Sequence, residues 1–314
     1  MTLFISEQDV NSLLDMSAAI DAVEDVIRWQ GQGKAGVLPR SRLEQAGVVM
    51  NVMAGAVEPL GRAGLKAYTS GSRMIVNLFD METGELLAVI EAGRLGQIRT
   101  GAATGVSVRY LSRPDANTLG LIGTGYQAET QLEAVAEVAN LSTVKVYSRQ
   151  PENRANFIAK MSSRLDCRIV EAKSARDAGE GSDIVVTATN ALEPVLSAQC
   201  LRPGVHVVAM GGNRLTVQEI ETDALGMFDL IAVDDLKQGK IESADLIAGV
   251  HNGYFDWADM VMLGEVVAGL CAGRTDQCER TLFKSLGIGT WDVAVADLVF
   301  KRATSEGFGR RIAD

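Results

Sequence analysis

The spacing of apolar residues near the start of the chain is that of a helix, and it then changes to that of strands. Ile20, Val23 and Ile27 recur at helical spacing with polar residues between them, which predicts an amphipathic helix over 17–30 capped by Ser17. The apolar runs that follow have strand length and predict an antiparallel sheet. Its strands are expected at residues 42–44, 48–53, 74–79 and 86–90, with a hairpin turn at 80–85.

Beyond residue 118, apolar runs of strand length alternate with helical patterns. The runs lie at residues 119–123, 144–148, 168–172, 184–188, 205–210 and 230–234. This alternation is typical of an α/β fold with a parallel, doubly wound sheet. The chain then returns to helical patterns, most clearly at 260–270 and 291–302, with a flexible crossing at 287–289. We expect the last helix to fold back onto the first part of the chain.

Length and local composition predict two domains. A chain of 314 residues, 47% of them hydrophobic, exceeds what a single core usually holds. The segment 99–110 meets a loop at Ser112-Arg113-Pro114, where we place the boundary. Residues 1–114 together with 291–314 are then one domain, and residues 115–290 are the other.

Charge and composition argue against several classes of partner. The 40 acidic and 30 basic residues give a net charge of -10, and no run of Lys or Arg could follow a phosphate backbone. We therefore expect neither nucleic acid nor a membrane as a partner. The start of the chain lacks a signal-peptide pattern and no later run could span a bilayer, so a cytoplasmic location is expected. The two His and four Cys residues lack metal-ligand spacing, and no metal site is predicted.

The sequence Gly123-Thr124-Gly125-Tyr126-Gln127-Ala128 joins a predicted buried strand to a predicted helix. In this G-x-G-x-x-A pattern the first glycine permits a tight turn, the second lets backbone approach a pyrophosphate, and the alanine allows close helix packing. The amides at the start of the helix would face the phosphates. The pattern and its flanking elements predict a Rossmann domain that binds a nicotinamide dinucleotide.

Two further polar groups follow strands of this domain. Ser148 and Arg149 end the second strand in place of the acid that would bind a ribose 2′-hydroxyl, which favours NADP over NAD. If Arg149 is merely solvated, the choice of cofactor stays open. Thr187, Thr189 and Asn190 follow the fourth strand at the carboxyl edge of the sheet, where they would contact the nicotinamide ribose or amide or else form an ordinary polar loop.

With these motifs the chain resembles the ornithine cyclodeaminase and mu-crystallin family, which includes cyclodeaminases, alanine dehydrogenases and imine reductases. The resemblance runs nearly end to end. Its most specific segments are residues 64–68, residues 97–103, the G-x-G-x-x-A turn with Gln127, and residues 282–287. It implies a Rossmann domain plus a second α/β domain, built from both chain ends, that binds substrate and forms a homodimer.

The resemblance also implies a set of substrate residues in the first domain. Arg40, Lys66 and Arg99 match positions that hold and activate an amino or imino acid. The chemistry agrees, because two guanidiniums can clamp a carboxylate and a lysine near other cations has a lowered pKa suited to proton transfer. Arg42 lies two residues from Arg40 and shares its strand face, so the two arginines could exchange roles.

At Asn213 the chain departs from some members of the family, although mu-crystallin-like ketimine reductases also lack the aspartate found there in the others. Cyclodeaminases and alanine dehydrogenases of the family carry an aspartate in a Gly-Gly-Asp or Gly-Ala-Asp turn, whereas this chain has Asn213 after Gly211-Gly212. Asparagine takes no proton at neutral pH, although it can still hydrogen-bond a substrate. Asp234 and Asp235, at the end of the last Rossmann strand, are an alternative source of a base or ordinary solvated strand-end acids.

These observations predict an NAD(P)H-dependent reductase of a cyclic or linear imino acid, equivalently a dehydrogenase of the corresponding amino acid. Reduction of an imine that already exists does not need the missing carboxylate, because Lys66 or water can protonate the nitrogen. Two alternatives remain open. One is a cyclodeaminase acting on ornithine or lysine, and the other is a non-catalytic, NADP-dependent protein that binds a small ligand.

Overall fold

The computed structural model describes residues 2–69, 71 and 73–312. Contacts between Cα atoms divide the chain into a first unit, residues 1–102 with 287–314, and a second unit, residues 103–286. The sequence placed the boundaries at 114/115 and 290/291 instead. The contact-based boundary lies inside a continuous helix, between residues 102 and 103. A sequence pattern marks where a helix ends, and it does not mark the point along the helix at which the packing partners change.

The amino-terminal part of the chain forms two helices, six strands and a long third helix. The elements are β1 (Leu3–Ile5), α1 (Glu7–Leu13), α2 (Met16–Gly31), β2 (Ala35–Gln45), β3 (Val48–Val57), β4 (Arg62–Thr69), β5 (Ile75–Asp80), β6 (Leu86–Glu91) and α3 (Gly93–Leu111). Helix α2 confirms the amphipathic pattern, but its cap is Asp15, whose side chain accepts the Ala18 amide. Asp15 is the better cap because it directly precedes the first helical residue, whereas Ser17 lies inside the helix.

The second unit contains a parallel sheet of eight strands. Its elements are β7 (Thr118–Ile122), α4 (Tyr126–Val138), β8 (Thr143–Tyr147), α5 (Pro151–Ser162), β9 (Arg168–Glu171), α6 (Ala175–Gly179), β10 (Ile184–Thr187), β11 (His206–Ala209), α7 (Thr222–Leu225), β12 (Leu230–Val233), α8 (Leu236–Glu242), α9 (Ala244–His251), β13 (Val261–Met262), α10 (Leu263–Val267) and β14 (Thr281–Lys284). The strand order is β13-β12-β14-β11-β10-β7-β8-β9. The predicted doubly wound α/β sheet is thereby confirmed.

Two details of this unit differ from the sequence prediction. The helix expected over 260–270 is instead the short strand β13 followed by the five-residue helix α10. Strand β14, which no pattern predicted, lies between β11 and β12. Strand β13 has only two residues, and β14 has only two apolar residues between Thr281 and Lys284, so neither gives an apolar run of strand length.

The carboxyl-terminal elements complete the first unit. Helix α11 (Gly289–Glu306) packs on the sheet of this unit, and β15 (Arg310–Arg311) pairs with β1. The sheet order is β15-β1-β6-β5-β4-β3-β2. It is antiparallel as predicted except that β1 joins β6 in parallel. At Gly55 of β3 a Cβ atom would lie 2.6 Å from the Thr290 amide nitrogen, so the glycine lets α11 approach the sheet backbone closely.

In the part of the chain that the structure describes, no helix is both long enough and apolar enough to cross a membrane.

Candidate active site

The G-x-G-x-x-A segment forms the turn between β7 and α4. Gly123 has a φ of +117°, and a Cβ atom there would lie 2.2 Å from the carbonyl oxygen of Ala188, in the loop after β10. Only glycine fits this backbone position. Gly125 is the cap residue of α4, and a Cβ there would meet no heavy atom of the described residues within 4 Å. The turn therefore packs tightly against the loop after β10 at Gly123, whereas space for a ligand remains beside Gly125.

The polar groups around this turn suit a bound phosphate. The cap residue of α4 is Gly125, which has no side chain to bond the first turn; the Ala128 amide donates to the Gly125 carbonyl oxygen, and an anion could approach the helix end beside it. The Oε1 atom of Gln127 is buried and accepts no hydrogen bond from the described residues, and Ala128 is fully buried. The hydroxyl of Thr187, at the end of β10, is also buried without a partner among those residues. These groups fit a dinucleotide.

Ser148 and Arg149 lie where β8 ends. The Thr124 hydroxyl donates a hydrogen bond of 2.9 Å to the Ser148 hydroxyl, so this serine is tied to the G-x-G turn. Arg154 donates to the Ser148 carbonyl oxygen. Arg149 is exposed to solvent. The structure therefore holds Ser148 against the dinucleotide turn and leaves the Arg149 side chain at the surface beside it.

The loops that follow β10 and β11 carry the remaining residues predicted in this unit. Thr189 is half-buried, and its amide and hydroxyl both donate to the carboxylate of Glu219. Asn190 is exposed, and Asn213 is half-buried directly after Gly212. We refer to residues 188–190 and 210–213 as the carboxyl-edge loops.

Asp234 and Asp235 serve the backbone in this structure. The carboxylate of Asp234 accepts the amide hydrogens of Asp235 and Leu286, and it is 3% exposed. Asp235 caps α8 by accepting the Gln238 amide. Asp234 thus holds the loop after β14, and Asp235 caps a helix. These roles explain the positions of both carboxylates without proton transfer.

Four charged side chains meet inside the first unit, and we call them the charged cluster: Arg40 of β2, Lys66 of β4, Arg99 of α3 and Asp292 of α11. None is more than 7% exposed. The Lys66 ammonium and the Arg99 Nε each donate a hydrogen bond of 2.9 Å to the same oxygen, Asp292 Oδ1. Three cations and one anion are thus gathered in a water-poor site, where an anionic ligand would improve the charge balance.

Asp292 is the member of this cluster that the sequence analysis missed. It is the fourth residue of α11 and stands among apolar neighbours, Trp291 and Val293. An acidic residue inside such an apolar run is rarely buried without a cationic partner, and that signal was present in the sequence. What the sequence could not supply was the identity of the partners, because Lys66 and Arg99 lie far away along the chain.

The electrostatic environment of Lys66 changes its acidity. Burial lowers the pKa of Lys66, Arg99 and Arg40 lower it further, and Asp292 partly opposes them, so the pKa falls from 10.5 to about 7. A lysine with this pKa can both hold and release a proton near neutral pH. The depressed lysine pKa expected from neighbouring cations is thus present in the structure.

The two candidate arginines of β2 have different surroundings. Arg40 is buried, and its guanidinium lies near the Gly287 carbonyl oxygen at 3.4 Å. Arg42 is exposed, and its Nε donates to the side chain of Asn51. Arg99 stacks over Trp291 at 5.9 Å, and its Nη1 has no hydrogen-bond partner among the described residues. Arg40 and Arg99 are therefore the buried guanidiniums beside Lys66.

Among residues 2–69, 71 and 73–312, the His, Cys, Asp and Glu side chains form no group of three that could hold a metal ion.

Comparison with known proteins agrees with this geometry. A reductase of Delta(1)-pyrroline-2-carboxylate from Bacillus cereus is 34% identical over 88% of this chain and 87% of its own. The structure of the same kind of reductase from Thermococcus litoralis, in complex with NADH and L-proline, is 33% identical, with a TM-score of 0.94 over 99% of this chain and 100% of that one. An archaeal alanine dehydrogenase dimer with bound NAD is 33% identical, with a TM-score of 0.93 over 99% of both chains. The model of the ornithine cyclodeaminase/mu-crystallin family matches residues 1–307, and the chain belongs to that family.

Proposed function

We propose that this protein is an NAD(P)H-dependent reductase of an imino acid, equivalently a dehydrogenase of the corresponding amino acid. The observation that carries the proposal is Lys66, which is buried, has a pKa near 7 and is held with Arg99 by Asp292. A proton donor beside paired guanidiniums is what the reduction of a carboxylate-bearing imine requires.

Each member of the charged cluster has a role in this mechanism. Arg40 and Arg99 bind the substrate carboxylate, and Nη1 of Arg99, which has no hydrogen-bond partner among the described residues, offers it a donor. Lys66 donates a proton to the imine nitrogen in the reductive direction and accepts one from the amine in the oxidative direction. Asp292 positions Lys66 and Arg99 and limits their mutual repulsion. When bound, a nicotinamide dinucleotide supplies the hydride in one direction and accepts it in the other.

Asn213 supports a reductase over a cyclodeaminase. A deamination that needs a carboxylate base in the Gly-Gly turn has only an amide there, and an amide takes no proton at neutral pH. The acids Asp234 and Asp235, which follow β12, are engaged by backbone amides. Reduction of a preformed imine needs no base at this position, so the substitution is compatible with that reaction.

We propose a cyclic imino acid with a ring of five or six members as the substrate. Relatives named as reductases of Delta(1)-pyrroline-2-carboxylate support this class, and one of them has been solved with L-proline. The carboxylate of such a substrate matches the two buried guanidiniums, and its ring nitrogen needs only the single proton that Lys66 provides.

The proposed cofactor preference is for NADP, with NAD as the alternative. Ser148 and Arg149 support it, because a hydroxyl and an exposed guanidinium can both bind a 2′-phosphate and neither repels it. The related structures that carry NADH or NAD keep the alternative open.

The outer face of the first sheet supports a homodimer. Cross-strand registers place a set of apolar side chains on the face opposite α11: Leu38, Leu43, Val48, Met50 and Ile75. They are between 38% and 65% exposed, which is unusual for a contiguous apolar group on a monomer. A second copy of this chain is the proposed occupant, and a related alanine dehydrogenase that is described as a dimer supports this choice. Leu43→Glu should sediment as a monomer, and an unchanged dimer would contradict this assignment of the interface.

The experiment that tests the function follows oxidation of NADPH and NADH by absorbance. The panel contains Delta(1)-pyrroline-2-carboxylate, its six-membered homologue, and 2-oxo acids with ammonia or methylamine. We expect turnover with the cyclic imino acids. Release of ammonia from ornithine or lysine, with no imine reduced, would instead establish the cyclodeaminase. Thermal stabilisation by these compounds without any turnover would point to a binding protein.

A further inference from the structure

Glu219 is a fully buried acid in the loop between β11 and α7. Its Oε1 atom accepts hydrogen bonds from the amide and the hydroxyl of Thr189, at 3.0 and 2.9 Å. Its Oε2 atom accepts the amides of Gly211 and Gly212, at 2.7 and 3.3 Å. One carboxylate thus receives four hydrogen bonds, and all four come from the carboxyl-edge loops.

A second layer holds Glu219 itself in place. The Oδ1 atom of Asp245 accepts the amide hydrogens of Glu219 and Ile220, at 2.9 and 3.0 Å. The Oδ2 atom of Asp245 accepts a 2.7 Å hydrogen bond from the ammonium of Lys284, which is fully buried at the end of β14. Burial alone would lower the pKa of Lys284, but Asp245 and Glu219 outweigh it, so the pKa is raised and the ammonium stays charged.

The loops that Glu219 holds lie beside the dinucleotide turn. Strands β10 and β11 are neighbouring and parallel, so the loops at their carboxyl ends are neighbours as well. Ala188, next to Thr189, supports Gly123 of the G-x-G turn. At Gly211 a Cβ atom would lie 2.2 Å from the Thr189 carbonyl oxygen and 2.4 Å from Glu219 Oε1, so the two loops and the carboxylate are packed without spare room.

We infer that Glu219 is a positioning residue for the nicotinamide half of the cofactor site. Its carboxylate ties together the two carboxyl-edge loops, which carry Thr189, Asn190 and Asn213, and thereby fixes the surface on which the nicotinamide end of the dinucleotide would bind. The inference rests on the proposed function, because it assumes that the second unit binds a nicotinamide dinucleotide. The pyrophosphate would face the turn at Gly123–Ala128 and the adenosine half would lie beside Ser148 at the end of β8, so neither should depend directly on Glu219.

The matching test is Glu219→Gln, with Glu221→Gln as the control. Glutamine has nearly the same size, but only one oxygen remains to accept, and its amide nitrogen would face backbone donors. Glu221 is exposed two residues away and undergoes the same chemical change. Binding of NADH and NADPH is measured by fluorescence of the reduced nicotinamide, and binding of ADP-ribose, which lacks nicotinamide, by calorimetry.

We expect Glu219→Gln to raise the Kd of the preferred reduced cofactor about tenfold and to change the Kd of ADP-ribose by less than about twofold. The Glu221→Gln control should leave both values unchanged. Glu219→Asp, which keeps the charge on a shorter side chain, should fall between the wild type and Glu219→Gln.

Three outcomes would contradict the role assigned to Glu219 or the proposed function on which it rests. Unchanged cofactor binding in Glu219→Gln and Glu219→Asp would overturn the inference. Parallel loss of ADP-ribose and cofactor binding, or loss of the fold in both variants, would overturn it in favour of a general stabilising role for the carboxylate. If the wild-type protein binds ADP-ribose and no nicotinamide dinucleotide, the proposed function itself fails, and that result is visible before any variant is made.

Discussion

The carboxyl-edge loops and the charged cluster are assembled from different kinds of sequence. In the second unit, the dinucleotide turn is one contiguous segment, and the loops beside it follow adjacent parallel strands. In the first unit, the charged cluster combines single residues from β2, β4, α3 and α11. The first kind of site depends largely on backbone groups and glycines, whereas the second depends on side chains that meet only in the folded unit.

The two sites also differ in the charges that they offer to a ligand. The dinucleotide turn offers backbone amides, whose partial charges need no counterion. The charged cluster brings full charges out of water, and three cations placed together would repel one another. Asp292 offsets part of that repulsion while leaving the pKa of Lys66 near 7. Variants that alter a full charge should therefore change turnover most, and variants of the turn should change cofactor binding most.

Lys66→Ala should have the largest effect. Loss of the proton donor is expected to reduce kcat about a thousandfold, while the Kd of NADPH stays the same because Lys66 belongs to the first unit. Steady-state kinetics and fluorescence titration measure the two quantities separately. Lys301→Ala is the control, since Lys301 is an exposed lysine paired with Asp297. Wild-type turnover in Lys66→Ala would refute the proton-transfer role.

Asp292→Asn should follow, with a loss of about a hundredfold in kcat/KM for the imine. Asp292 raises the pKa of Lys66, so its neutralisation lowers that pKa further below its wild-type value of about 7. In the reductive direction Lys66 must be protonated, so wild-type activity should fall above pH 7 and the fall in the variant should begin at lower pH. The control is Asp297→Asn, on the same helix but paired with Arg62 and Lys301. A pH profile that does not move would exclude this role of Asp292.

A pair of glycine variants distinguishes ligand space from backbone strain in the dinucleotide turn. Gly125→Ala places a methyl group in open space, so it should keep the melting temperature and weaken cofactor binding about tenfold. Gly123→Ala meets the Ala188 carbonyl oxygen at a positive φ, so it should lower the melting temperature by about 5 °C or more. Thermal unfolding and fluorescence titration measure both effects. Equal destabilisation by the two variants would mean that Gly125 is a structural residue only.

Arg149→Ala should have the smallest effect, since Arg149 is exposed. We expect severalfold weaker binding of NADPH and unchanged binding of NADH, because only NADPH carries the 2′-phosphate. The two dissociation constants measured by titration give the preference ratio directly. A ratio equal to that of the wild type would show that Arg149 is solvated and that the cofactor choice is made elsewhere.

Much of the second unit could be predicted because its signals are local. Six of its strands and the turn at Gly123–Ala128 were predicted from apolar runs and from glycine spacing. The strands β13 and β14 were not predicted, because β13 has only two residues and the four residues of β14 include Thr281 and Lys284, so neither forms an apolar run. In the first unit, strand β4 carries Lys66, and only the family motif pointed to that segment.

The candidate site could be predicted as separate residues and not as an arrangement. Sequence similarity to a family singled out Arg40, Lys66 and Arg99, and it left the choice between Arg40 and Arg42 open. The structure distinguishes these two arginines by burial, which depends on the β-bulge between Leu38 and Ser41 and on the packing of α11. The role of Glu219 could not be predicted, because nothing in the neighbouring sequence indicates that its carboxylate accepts hydrogen bonds from two loops.

The sequence by itself determined the parallel sheet, the dinucleotide turn and the absence of a carboxylate after Gly211-Gly212, because each depends on the residue types of one contiguous segment. Only the tertiary structure decided that Asp292 joins Lys66 to Arg99 and that Glu219 ties the carboxyl-edge loops together. The physical reason is that a buried charge is tolerated only where partners surround it. Those partners are brought together by folding, from segments that carry no common pattern.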